Sequence, residues 1–138
     1  MADIAELQPL VGRWATTITL LWPADAKGEV RHAVDTYRWL AGGQALVHEV
    51  ETRLDETAMQ SIEIYTVQDG AILSRNVDGA GQVSDYRAAM ADGVWRIEGE
   101  TERFASTAIG PDAIEGLWEQ KAGDGWRDWM RVGLDRVA

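Results

Sequence analysis

The sequence predicts an all-β protein, an antiparallel up-and-down β-barrel of about ten strands with a short N-terminal helical turn. Three observations carry that reading. The chain has 138 residues, 46% of them hydrophobic, and no cysteine, which describes one domain over 1–138 that buries a core without disulfides or a structural metal. Asp-Gly and Gly-Gly pairs recur at 42–43, 69–70, 78–79, 92–93 and 124–125; such pairs suit tight turns because glycine tolerates positive φ and Asp bonds its own backbone. Between them apolar and polar residues alternate with a period of two, as they do along a strand with one buried and one wet face.

Taken in order, residues 2–10 turn Ile4 and Leu7 inward on a helical turn ended in the region of Pro9. The predicted strands then run 12–22, 29–40, 45–54, 58–67, 71–77, 83–90, 94–100, 103–108, 113–120 and 126–135. Pro9, Pro23 and Pro111 all fall outside them, where a missing N–H breaks no ladder. Strands joined by short turns meander, and closing the sheet removes the edges that would otherwise pair with other chains.

Parity sorts each strand into two faces. One set holds charges such as Arg31, Asp35, Glu49, Glu51, Glu63, Arg75, Asp85, Arg87, Glu98 and Arg127, which reads as the outer wall. The other holds Trp14, Ile18, Leu20, Val34, Leu46, Val50, Ile62, Ile64, Ile72, Tyr86, Trp95, Ile97, Phe104, Ile114, Trp118, Trp126, Met130 and Val132, the expected interior. Thr16, Thr36, Thr52, Ser74 and Asn76 interleave with that set, more polar than a dry core and suited to a lined pocket. His32, Arg38, His48 and Asp128 are the titratable residues assigned to the same face. A single bulge between Gly125 and Arg131 would exchange Asp128 for Arg127 and Trp129. Trp39 and Trp129 have outward parity and form a candidate homodimer patch, unless the N-terminal segment covers them.

Several chemistries are set aside. A formal charge of −10 argues against nucleic acid and against an anionic membrane surface. The longest charge-free stretch, 14–24, is too short for a spanning helix, and the N-terminus has no basic and apolar leader pattern, so a cytoplasmic location is expected. The two histidines sit several residues apart along neighbouring strands with no third ligand at a defined spacing, so no metal is expected. No dinucleotide or phosphate loop and no nucleophile elbow occurs, and no cofactor is expected.

Gly12-Arg13-Trp14 on the first strand resembles the G-x-W signature of lipocalin and calycin-like barrels. With the stretch Tyr37-Arg38-Trp39-Leu40-Ala41-Gly42-Gly43-Gln44-Ala45-Leu46-Val47 and the final Trp126-Arg127-Asp128-Trp129-Met130-Arg131, the whole chain is similar to bacterial lipocalin-like, calycin-type β-barrel domains of unassigned function. The resemblance implies that Trp14 closes the barrel floor under an arginine near the C-terminus, Arg131 or Arg136, as a structural clamp. Nitrobindin-type haem barrels start G-x-W-x-G-x-G and ligate iron through a histidine in the C-terminal half. Here Ala15-Thr16-Thr17-Ile18 follows Trp14 and no histidine follows His48, so haem is not implied. Fatty-acid-binding barrels hold a carboxylate with a final-strand Arg-x-Tyr, whereas this chain has Arg127-Asp128-Trp129.

The expected function is binding of a small, largely hydrophobic molecule inside the barrel. Arg38, His48, Tyr86, Trp95, Trp118 and Asp128 are the candidate contacts, with Arg38 suited to an anionic end of the ligand. The alternative is a cofactor-free isomerase, cyclase or lyase in which His48 or Asp128 moves a proton and Arg38 stabilises an anion. A third reading is a dimeric interaction module with a filled barrel.

Overall fold

A capping box starts the N-terminal 3₁₀ helix, Ile4–Leu10: the Asp3 carboxylate accepts from the Ala5 N–H at 2.9 Å, and Glu6 accepts from the Asp3 N–H at 3.4 Å. Ile4, Leu7 and Leu10 are buried by it. The computed structural model describes residues 2–54 and 57–138. After the helix come β1 (Gly12–Leu20), β2 (Val30–Trp39), β3 (Leu46–Leu54), β4 (Thr57–Gln68), β5 (Ala71–Asp78), β6 (Val83–Ala91), β7 (Val94–Glu98), β8 (Glu102–Ile109), β9 (Ala113–Ala122) and β10 (Gly125–Arg136). Every strand pairs antiparallel with its neighbours in sequence, and β1 pairs with β10 from Trp14↔Arg136 to Leu20↔Met130, closing the barrel. Among the described residues no helix is long and apolar enough to cross a membrane.

Alternate hairpins fall at opposite ends, and the 3₁₀ helix stoppers one of them. The Ala2 N–H donates to Gly70 O at 2.9 Å and Trp39 Nε1 donates to Gln8 Oε1 at 2.8 Å, tying the plug to the β4–β5 turn and to β2. Trp14 lies beneath it, fully buried, with Nε1 donating to Leu10 O at 2.9 Å. The Arg136 guanidinium stacks over the Trp14 ring at 4.2 Å and donates to the carbonyls of Val11, Pro9 and Pro111. The clamp is therefore Trp14 with Arg136; Arg131 is exposed on the outer wall, because Arg136 is the residue opposite Trp14 in the β1–β10 register. Gly12, at φ +136°, has no room for a side chain, since an added Cβ would run into Arg136 Nη1 and lie 2.8 Å from the Ala138 carbonyl oxygen.

The inner face follows the expected parity on β1, β3 and β5 through β9, and departs from it on three strands. On β2 the buried residues are Ala33, Asp35 and Tyr37, while His32 and Arg38 are exposed. On β4 Glu63 and Tyr65 are buried, while Ile62 and Ile64 are 43% and 42% exposed. On β10 a bulge between Asp128 and Met130 shifts the register, so Asp128, opposite Glu119, is exposed, Arg127 stands opposite the inner Gln120, and Trp129 meets Trp118 ring to ring at 6.5 Å. Trp39 and Trp129 sit at opposite barrel ends, so they form no common patch; the plug covers the first and the β1–β2 loop donates two N–H groups to the carbonyl of the second.

Candidate functional site

Three neighbouring strands bring a carboxylate, an imidazole and a second carboxylate into line. Tyr37 pairs with His48 and His48 with Glu63 in the β2–β3–β4 register, and Asp35 lies two residues along β2 on the same inner face. His48 Nε2 is 2.6 Å from Asp35 Oδ2 and His48 Nδ1 is 2.9 Å from Glu63 Oε1. Thr16 on β1 donates to Asp35 Oδ1 at 2.5 Å, Ser74 on β5 donates to Glu63 Oε2 at 2.9 Å, and Tyr65 donates to Glu63 Oε1 at 2.6 Å. The result is a hydrogen-bonded ribbon running across five strands inside the barrel.

Both imidazole nitrogens face carboxylate oxygens, so both satisfy their partners only as N–H donors, which is the imidazolium. Burial alone would lower the His48 pKa, but the hydrogen bonds and charges of Asp35 and Glu63 outweigh it and lift the value to about 9. Burial likewise pushes against ionised Glu63, yet the His48 bond, with help from Tyr65 and Ser74, leaves its pKa below the usual carboxylate value. Tyr37 stacks on His48 with ring centroids 4.0 Å apart and 7° between planes. Burial and the nearby carboxylates hold the Tyr37 and Tyr65 hydroxyls protonated.

The signs of these shifts define a pH window. His48 has its pKa raised on folding, so its contribution is complete below about 6.5 and is lost as pH climbs through about 9. Glu63 has its pKa lowered, so its contribution is present above about 4.5 and is lost as pH falls below that. Stability is expected to peak between about pH 5 and 6.5 and to decline towards pH 9 by at most about 3 kcal/mol. Urea denaturation across pH 4–10 checks this; a flat profile from pH 6 to 10 would count against an imidazolium held between two carboxylates.

The ribbon forms one side of an interior cavity of about 220 Å³. The rest is mostly apolar: Ile18, Val50, Trp95, Ile97, Phe104, Ile114, Trp118, Met130, Val132 and Leu134, with Leu10 of the plug among the lining residues. Trp118 is braced by Phe104 at 5.4 Å and by Tyr86 at 6.3 Å between ring centroids, and the Tyr86 hydroxyl donates to Glu102 Oε1 at 2.5 Å.

Of the residues singled out in the sequence, His48, Tyr86, Trp95 and Trp118 line the cavity. Arg38 does not: it lies outside, bonded to Glu49 at 3.0 Å, because β2 turns its other face inward. Asp128 is excluded by the β10 bulge. Sequence reasoning misses Asp35, Glu63, Tyr37 and Tyr65, because parity places the two carboxylates on the outer wall. One signal for them exists in the sequence. An inner histidine on β3 calls for inner partners on its two neighbouring strands, and Asp35 and Glu63 are the carboxylates in reach.

No protein-family model matches the chain, and no curated protein matches it in sequence. Among solved structures, the crystal structure of Rv2717c from M. tuberculosis superposes with a TM-score of 0.68 over 100% of this chain and 99% of that chain, at 13% sequence identity. What the two share is the fold, a closed antiparallel barrel that here has ten strands.

Proposed function

We propose that the barrel binds a small, largely apolar molecule in its interior. The observation that carries this reading is the 220 Å³ cavity with a hydrogen-bonding ribbon on one side and an aromatic and aliphatic wall on the rest. A cavity of roughly 150 Å³ already takes benzene, so this volume suits a ring with a short polar arm. The lipocalin-like layout, with a plugged floor and a lined interior, is consistent with such a role. A filled barrel is not favoured, because the cavity is there to fill. The catalytic alternative loses its named proton carriers: Asp128 lies outside, and both His48 nitrogens are engaged.

The test is intrinsic tryptophan fluorescence, since Trp95 and Trp118 line the cavity. Fatty acids, aromatic acids, terpenoids, flavins, haem and small amines are titrated into the folded protein. Saturable quenching by one chemical class is the expected result. No response from any class, with a folded circular dichroism spectrum, would overturn the proposal.

A further inference from the structure

The cavity is electrically unbalanced. Its lining includes Asp35, Glu63 and His48 but no arginine or lysine among the described residues. Two carboxylates against one imidazole leave a negative formal charge in either state of the imidazole, and unbalanced charge in a largely apolar enclosure is costly. The expectation of an anion held by Arg38 is thereby reversed, since an acid would add a third negative charge beside the first two.

Two further features point to the complementary ligand. Asp35 has acceptor capacity to spare: Oδ1 takes Thr16 and Oδ2 takes His48, whereas Glu63 Oε1 already accepts from both His48 and Tyr65. Tyr37, 6% exposed, lines the same cavity, and its hydroxyl oxygen can accept from a ligand's N–H. The aromatic side chains Trp95, Phe104 and Trp118 supply faces that attract cations.

Resting on the reading that the cavity is a binding site, we propose that it selects a small organic ammonium, a protonated amine on a short apolar or aromatic body. The ammonium donates to Asp35 and to the Tyr37 oxygen, and the body lies against the tryptophans. Its single positive charge offsets the surplus of the ribbon.

Calorimetry at pH 7 with three probes of nearly equal shape tests this: 2-phenylethylamine, 2-phenylethanol and phenylacetate. The amine is expected to bind at least about ten-fold more tightly than the alcohol, the difference of one charge-assisted hydrogen bond, and the acid not detectably. Asp35→Asn keeps the shape and removes the charge; it is expected to weaken the amine about ten-fold or more while changing the alcohol less than about three-fold. Tyr37→Phe keeps the stacked ring and is expected to weaken the amine several-fold, which preserves the test if the Asn variant does not fold. An acid that binds as tightly as the amine, or equal losses for amine and alcohol in these variants, would overturn the assignment. If all three probes fail while another class saturates the fluorescence, the amine is wrong and the binding site stands; if every class fails, both readings fall.

Discussion

Replacing His48 with glutamine is expected to cost about 3–5 kcal/mol at pH 7, a large share of the roughly 5–15 kcal/mol that holds an ordinary domain together. The substitution removes the one cation between two buried carboxylates and leaves Asp35 and Glu63 facing a neutral amide. Two signatures separate this from a simple packing defect. The loss should shrink as pH falls towards 4.5, because protonation then relieves the carboxylate that His48 had kept ionised. The double variant His48→Gln with Glu63→Gln should be more stable than His48→Gln alone by about 1 kcal/mol or more, since the pair is coupled. Thermal denaturation at pH 4.5 and pH 6.5, a range over which folded His48 keeps its proton, reads both effects. A loss independent of pH, with additive double-variant behaviour, would mean that the ribbon is held by shape and not by charge.

The second large effect is expected at the floor. Trp14→Ala removes a fully buried ring, its hydrogen bond to Leu10 O and the surface on which Arg136 stacks. Deleting a buried aromatic of this size costs about 3–5 kcal/mol. Trp14→Phe retains a stacked ring but orphans the Leu10 carbonyl, and should cost about 1–3 kcal/mol. The plug depends on this contact, because the Arg136 guanidinium joins the carbonyls of Val11, Pro9 and Pro111 while lying over the indole. The alanine variant should therefore loosen the N-terminal helix first, seen as faster amide exchange at Leu7 and Leu10 than in the β-sheet. Uniform exchange throughout would indicate a clamp that stabilises the barrel without holding the plug.

The strands and turns were legible because their signals are local. The Asp-Gly turns at 69–70 and 92–93 carry positive φ at both residues and join paired strands as expected. On β5 through β9 the bulky apolar set is the inner set, so parity alone orients Ile72, Tyr86, Trp95, Phe104 and Trp118 correctly. The candidate site was only partly legible. Parity turns His48 inward but reverses β2 and β4, because Val34, Ile62 and Ile64 outrank Asp35 and Glu63 on any scale of individual hydrophobicity. A carboxylate that is buried with a partner is indistinguishable, one residue at a time, from one that is solvated. Sites of this kind are where local pattern and final structure disagree.

The sequence by itself determined an all-β meander with a short N-terminal helical turn, its turn positions, and an inner face that carries Trp14, Trp95 and Trp118. Only the tertiary structure decided which face of β2 and β4 points inward, and where β10 bulges. A period of two specifies two faces but does not say which is inner; that depends on what stands opposite in the neighbouring strand. Pairing of neighbouring strands sets Asp35 opposite Trp14 and Glu63 opposite His48, and their inward turn is stabilised by Thr16, His48 and Ser74, which adjacent strands supply.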